Sequence, residues 1–582
     1  MRRPDLILAV VIFVSVFMVL WFSPVHQVSD SDFSMLVSQS LLEQGSFKLD
    51  RYFVPRPPAI ARDGYVAVGA YQLELVNDHV YYYFPHATSV LSLPYVAVAR
   101  LFGVKPKDDA STHGEMEIQT SLAALLMAVV AVVFFITGRL LLDRLWSCVV
   151  ALGGVFASQV WSTASRGLWS HTWNLLLVSL IAYLLMRAET GRHRIQPILL
   201  GTLSAWAYFV RPTSSIVIIA ITIYLVLYYR SASASFIATL SVWAASFVAY
   251  SLHNFGQVLP SYFATSRLDF SVLRTSLPGN LISPSRGMLI YLPWILFTGY
   301  LLIRYRRLLK LRGLIGLSLI IVIAEFLVIS AFTNWWGGSS YGPRLTIDLL
   351  PWLVLLTIPG LAVMLQERKE KSVWWTAELA AGALLLTFSV FIHARGATSQ
   401  STLSWNVYPK NERDLEAKMW DWREPQFLAG LIRPAPPTRY ASISGDTLID
   451  VTRPESEKYL WLGWGRPEGD FRWTDGRESM VVFALKEIRQ IELTMNVAPF
   501  ILPGRVQEQQ LQIELNGRQL DIFRLNQLAY EEIVVTLPSS ALKAENTLTF
   551  RLPNAVSPES LRLSIDQRQL GLSVKSMRFR VE

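Results

Sequence analysis

The sequence predicts a polytopic α-helical membrane domain followed by an all-β sandwich. Three observations carry that reading. Up to about His393 the chain is dominated by long apolar runs, and beyond it the composition turns mixed and polar. Many of the early runs approach the roughly 20 apolar residues needed to cross a bilayer. After Thr438 short stretches alternate apolar and polar positions, with turn residues between them, as half-buried strands do.

The apolar runs lie near residues 5–23, 118–138, 146–162, 172–187, 197–210, 214–229, 235–252, 288–303, 314–332, 348–365 and 374–393, about eleven spans in all. The first, Leu6 to Phe22 after Arg2 and Arg3, has the look of a signal sequence. No small-residue cleavage site follows it and further spans do, so it reads as a retained helix. The chain is 52% hydrophobic with a formal charge of +9. That charge asks for no nucleic-acid partner, because much of the basic excess lies in short loops between apolar runs.

Those loops set the expected orientation. Arg2 and Arg3; Arg139 and Arg144; Arg187, Arg192 and Arg194; Arg230; Arg304, Arg306, Arg307, Lys310 and Arg312; and Arg368, Lys369 and Lys371 fall in alternate loops, which the positive-inside rule places in the cytoplasm. The amino terminus is then inside. The loop 24–117, the Ser158–His171 and Val210–Ser214 segments, the loop 253–287, the Trp335 loop and everything after His393 are then outside. The expected setting is a cytoplasmic membrane.

The first outer loop, 24–117, is too long for a plain connector. Ser34 to Leu42 reads as a helix stopped near Gly45. The run from Tyr81, YYYFPHATSVLSLPYVAVARLFGV, is too interrupted for a span and suits a helix lying in the interface. The membrane domain is taken as 1–393 and 394–437 as an aromatic linker, with WDWREPQFL, packing on it. The sandwich is 438–582. In that last part LQIELNGRQLDIF turns at Asn516-Gly517, a strong hairpin signal, and EEIVVTLP, NTLTFRLP and LGLSVKSMRFRV follow at short spacing. The chain's single cysteine, Cys148, leaves the sandwich without a disulfide, so its core must stabilise it. Trp461, Trp464 and Trp473 there suit either sugar stacking or the core.

The stretch Thr333–Asp348, TNWWGGSSYGPRLTID, sits between two apolar runs. An arginine beside aromatics at a bilayer edge suits a lipid phosphate, since the guanidinium forks onto the oxygens. An interfacial belt with a snorkelling arginine is the plainer alternative. Ionisable groups are sparse inside the spans and gather in the outer segments: Asp30, Asp32, His79, His86, Arg166, His171, Arg211, Arg286 and Arg344. Asp30 and Asp32 follow the first helix, where a carboxylate suits a general base or a helix cap. His79 and His86 lack a ligand spacing, no CxxC exists, and no nucleotide-binding glycine motif stands out. No cofactor is required, and nothing demands a divalent metal.

These pieces together resemble the GT-C class of membrane glycosyltransferases. Within it they resemble in particular the family related to protein O-mannosyltransferases and to the lipid A aminoarabinose transferase, in bacterial members with a carboxy-terminal β-sandwich of jelly-roll-like form. The resemblance rests on the order of DSDFSMLVSQSLLEQGSFKLD, YYYFPHATSVLSLPYV, SRGLWSHTWN, RPTS, SPSRGMLIYLPW and WWGGSSYGPRLTIDLLPW, with WGRPEGDFRWTDG and DQRQLGLSV in the last domain. It implies inverting transfer of a sugar from a polyprenyl-phosphate donor to an extracytoplasmic glycan, lipid or protein. It implies an Asp of the first outer loop as base. Asp30 fits best with Asp32 as neighbour, although Ser31 separates acids that are adjacent in many members. By the same likeness Arg344, Arg286 and Arg211 hold the donor phosphate. Tyr83, His86, His171, Trp335, Trp336 and Tyr341 are the candidate lining of the substrate pocket, with His171 equally suited to a hydrogen-bonded interfacial role. A lipid-linked glycan flippase would instead need an ionisable path through the spans. A non-catalytic sugar-binding membrane protein would have loop acids facing away from any cavity.

Overall fold

Hydropathy and helix placement agree closely. The computed structural model describes all residues except 1–2, 53, 55–70, 107–112, 264–266, 368–372, 408–411, 433–439 and 565. Arg2, Arg368, Lys369 and Lys371 of the orientation argument therefore lie outside the described residues. Seven described helices are long and apolar enough to cross a membrane: Arg3–Phe22, Gly114–Gly138, Ser170–Glu189, Arg230–Phe255, Arg312–Ser330, Arg344–Gln366 and Val373–Thr398. Shorter apolar helices at Arg144–Phe156, Pro197–Val210, Pro212–Tyr228 and Trp294–Arg304 occupy the remaining predicted span positions. This is a multi-pass membrane protein. The break between the fifth and sixth spans falls at Arg211, which is extended, before Pro212 restarts the helix as a 3₁₀ turn, as a proline at a first helical position does.

The long segment after the first helix is more structured than its sequence announces. The helix Ser34–Gln44 stops at Gly45, which takes φ +62°. A hairpin missed by the sequence reading then follows, β1 (Leu73–Val76) against β2 (His79–Tyr82), turning at Asn77 and Asp78 with both φ positive. Asn and Asp tolerate that region better than other side chains, so Asn77-Asp78 was the signal to read. A helix does stand in this stretch, Ala87–Leu101, and it packs on the Ser34–Gln44 helix.

Two compact units emerge. One gathers the described residues up to 403, apart from His113, together with 412–431; the other gathers His113, 404–407 and the described residues from 432 on. The described residues of the second unit contain eleven strands. In order they are β3 (Ser442–Ile443), β4 (Asp446–Asp450), β5 (Trp464–Glu468), β6 (Phe471–Asp475), β7 (Glu478–Leu485), β8 (Ile491–Pro499), β9 (Gln509–Leu515), β10 (Arg518–Leu525), β11 (Glu531–Leu537), β12 (Glu545–Arg551) and β13 (Leu570–Val581). One sheet runs β10-β9-β12-β7-β3; the other runs β11-β8-β13-β6-β5, with β4 also on β13. Alternate residues such as Leu511, Ile513 and Leu515 of β9 and Ile533, Val535 and Leu537 of β11 meet in one apolar core between the sheets, the arrangement of a sandwich. The Asn516-Gly517 turn has φ of +53° and +83°, as the predicted tight hairpin requires. Trp464 is buried and donates its Nε1–H to the Met480 carbonyl, so it belongs to the core and not to a sugar-stacking surface.

Candidate active site

The chain joins Asp30 to Arg344 across more than three hundred residues. Arg344 opens a 3₁₀ helix, Arg344–Leu349, after the Thr333–Pro343 loop. That loop folds back through Gly337 and Gly338, whose φ of +73° and +67° would strain any other residue. Arg344 Nη1 then donates to Asp30 Oδ2 at 2.8 Å. Its guanidinium carbon sits 4.4 Å from the centre of the Trp169 ring, a cation–π contact. Its Nε is buried with no hydrogen-bond partner among the described residues. The other oxygen of Asp30 accepts the Tyr71 hydroxyl at 3.0 Å. The two charged side chains remain 28% and 13% exposed, so the pair is partly open.

The segment bearing Asp30 is held from three directions. Its carbonyls at Ser29, Asp30 and Ser31 accept from Gln72 Nε2 at 2.9 Å, the Tyr82 hydroxyl at 2.6 Å and Gln119 Nε2 at 2.7 Å. Neither aspartate caps the helix that follows. Its N-cap is Phe33, with φ +71° and no side-chain cap bond. Asp32 accepts the Phe33 N–H at 3.1 Å. The capping role passes to Glu115, a buried carboxylate 80 residues away that accepts the Met35 N–H at 2.8 Å. A carboxylate there satisfies an orphan donor and faces the positive end of the helix. The cap alternative considered for Asp30 is thereby answered.

A second carboxylate–arginine pair lies four residues along the same 3₁₀ helix, and it is sealed. Asp348 pairs with Arg211, accepts from His171 Nδ1 at 2.9 Å and accepts from Asn174 Nδ2 at 2.8 Å. The Asp348 side chain is 1% exposed. Arg211 also donates to Ser170 Oγ at 3.3 Å. Thus Arg211 and His171, both nominated from sequence, meet each other around Asp348 rather than around Asp30. Asp348 itself escaped the reading because it stands at the start of an apolar run.

Arg286 is fully buried and fully employed. It donates to the carbonyls of Trp336 at 2.8 Å and Ser285 at 2.7 Å, and to Gln426 Oε1 at 2.5 Å. Burial lowers it to about 10, which leaves it cationic at neutral pH. Gln426, from the linker, also accepts the Gly342 N–H at 3.0 Å and donates to the Ser340 carbonyl at 3.1 Å. Together they fasten the loop that presents Arg344. Trp335 is buried with its Nε1 on Glu416 at 3.3 Å. Tyr341 is buried too, its hydroxyl donating to the Ile392 carbonyl at 2.6 Å. A Cβ on Gly396 would lie 2.2 Å from the Tyr341 ring, so that packing depends on the glycine. Trp336 crosses Trp335 edge to face and stays half-buried. Arg166, another basic residue singled out from the sequence, is buried and donates to the carbonyls of Ser23 at 2.7 Å and Leu20. It closes the carboxy-terminal end of the first helix.

Tyr83 and His86 line a largely aromatic cavity of about 180 Å³ with Trp206, Phe209, Trp243 and Tyr262 among its walls. His86 Nε2 lies 2.7 Å from the Tyr82 carbonyl and so carries the proton, while Nδ1 accepts from Tyr250. Burial pulls its pKa down to about 4, so it is neutral there. The Tyr83 hydroxyl accepts from Arg267, whose guanidinium also stacks on Tyr262 at 4.6 Å. Among the described residues no group of three or more His, Cys, Asp or Glu side chains could hold a metal ion.

No family model and no curated relative matches the chain. Solved structures similar to it include ArnT from Cupriavidus metallidurans bound to undecaprenyl phosphate, 14% identical over 72% of this chain and 75% of that one, with a TM-score of 0.39. An Archaeoglobus fulgidus oligosaccharyltransferase in the apo form is 10% identical over 76% of this chain and 62% of its own, with a TM-score of 0.40. Arabinosyltransferase EmbB from Mycobacterium smegmatis is 11% identical, covers the whole of this chain and 64% of its own, and scores 0.36. All three scores are below 0.5.

Proposed function

We propose that this protein is an inverting membrane glycosyltransferase that moves a sugar from a polyprenyl-phosphate donor to an extracytoplasmic acceptor. Asp30 is its general base and Arg344 its phosphate anchor. The observation that carries this is the partly exposed Asp30–Arg344 pair over Trp169, with a buried Arg344 Nε unpartnered among the described residues. A phosphate oxygen can take the free side of the guanidinium fork. The acceptor hydroxyl attacks the anomeric carbon as the carbon–oxygen bond to phosphate breaks. Asp30 takes the hydroxyl proton, and polyprenyl phosphate leaves with the bonding pair, its charge met by Arg344. The activated donor supplies the driving force, so this scheme calls for no nucleotide.

Purified Asp30→Asn and Asp32→Asn variants assayed with a polyprenyl-phosphate sugar test the reading. Asp30→Asn keeps the shape and removes the proton acceptor. Transfer should fall by a factor on the order of 10² or more while donor still binds, and Asp32→Asn should retain most activity. Normal transfer by Asp30→Asn with loss in Asp32→Asn would move the base to Asp32; normal transfer by both would sink the proposal. The proposed orientation, amino terminus cytoplasmic and sandwich outside, predicts that a tag after Glu582 is accessible from the outer face. The flippase alternative draws on one group: Glu325, buried in the Arg312–Ser330 helix with neither oxygen hydrogen-bonded among the described residues. Donor translocation in vesicles without sugar transfer would favour it.

A further inference from the structure

We infer that Gln119 is a positioning residue that sets Asp30 and Arg344 in register; the inference rests on the transferase reading above. The observation is a single buried amide bonded to the backbone next to Asp30 and to the backbone next to Trp169, the ring under Arg344. Gln119 lies in the Gly114–Gly138 span and is fully buried. Its Nε2 donates to the Ser31 carbonyl at 2.7 Å, directly between Asp30 and Asp32. Its Oε1 accepts the Leu168 N–H at 3.2 Å, and the next residue, Trp169, supplies the ring under Arg344. One side chain therefore ties the acid's backbone to the backbone of the arginine's platform.

The amide is itself held. Its Nε2 also donates to Glu115 Oε1 at 2.9 Å, the same oxygen that accepts the Met35 N–H. That fixes the amide's sense. The nitrogen must face the Ser31 carbonyl and the carboxylate, and the oxygen must face the Leu168 N–H, because the reverse orientation would set the oxygen against two acceptors and the nitrogen against a donor. Gln72 and Tyr82 also hold carbonyls of this segment, but both act on the acid side alone. Gln119 joins that side to the arginine's, and with all three of its neighbours buried, an unmade bond here costs more than at the surface.

Positioning of this kind has a measurable signature. A shift of about 1 Å in a reacting group can cost on the order of 10² in rate. Gln119→Met keeps the volume and removes all three hydrogen bonds. Single-turnover transfer should fall by about tenfold or more, whereas Thr120→Val, which removes a hydroxyl bonded only within its own helix, should transfer normally. On an Asp30→Asn background Gln119→Met should cost less than about twofold, because the group it positions has lost its function. Thermal unfolding of each variant reports folding. Should Gln119→Met fail to fold, Gln119→Glu keeps the acceptor for Leu168 and loses the donor to Ser31, and the same pair of comparisons applies. Equal losses on both backgrounds, or no loss on the native one, would overturn the inference. If Asp30→Asn itself transfers normally, it is the transferase assignment that fails.

Discussion

Two carboxylate–arginine pairs hang from one 3₁₀ helix, and they have opposite characters. Arg344 faces Asp30 with a quarter of that carboxylate still exposed and one guanidinium nitrogen unpartnered. Asp348, four residues on, is closed by Arg211, His171 and Asn174 with almost no exposure. Four residues of a 3₁₀ helix turn through about one and a third revolutions, so the two side chains leave in different directions. The difference teaches that residue type alone does not identify a site. A sealed pair has satisfied its hydrogen-bonding capacity internally and holds structure; an open pair retains capacity for a ligand.

The largest expected effect lies at the sealed pair, and it concerns stability. Asp348→Asn leaves the Arg211 guanidinium buried beside a neutral amide. Breaking a buried pair by removing one charge costs on the order of 3–5 kcal/mol. Thermal unfolding in detergent should show a large drop for Asp348→Asn and little change for Asp30→Asn. Equal stability losses would erase the distinction between the two pairs.

Next in size is the arginine of the open pair. Arg344→Lys keeps a positive charge and loses both the fork and the planar stacking on Trp169. Donor affinity should weaken about tenfold, the scale of one charge-assisted hydrogen bond, with unfolding nearly unchanged because partly exposed pairs add little stability. Titration with a polyprenyl phosphate, without sugar, reads this directly. Undiminished binding would mean that Arg344 is not the anchor.

The sequence showed some of this contrast and concealed the rest. Spans were legible because apolar length is a local property, and the sandwich because strand alternation and Asn516-Gly517 are local too. Asp30 and Arg344 could be nominated separately, from an acid after the first helix and an arginine among aromatics. Their meeting could not be read, since it depends on how distant helices pack. Arg211 and His171 carry the same chemical labels as Arg344, and only their burial around Asp348 separates them. Glu115 and Gln119 sit in HGEMEIQT at the end of a span, where polar residues pass for an interface. Gln426 looked like linker composition, yet it helps hold the loop that precedes Arg344.

The smallest effect concerns Tyr71, which donates to the carboxylate of the open pair as His171 and Asn174 do to that of the sealed one. The Tyr71 hydroxyl donates to Asp30 Oδ1 at 3.0 Å and lies 2.8 Å from Ser29 Oγ. Desolvation, then the Asp30 charge, raises the phenol above its ordinary range, so it stays a donor at neutral pH. Tyr71→Phe keeps the ring, which meets Phe84 edge to face, and removes only the hydroxyl. The Tyr82 bond to the Asp30 carbonyl and the Arg344 contact remain. A single hydrogen bond of this kind contributes about 0.5–1.5 kcal/mol, so transfer should change by about threefold to tenfold with donor binding intact. If the hydroxyl only steadies the carboxylate, Tyr71→Phe should have no effect in an Asp30→Asn background. A full loss of transfer would instead make Tyr71 a participant in the proton transfer, and the base would be the Asp30–Tyr71 unit rather than Asp30 alone.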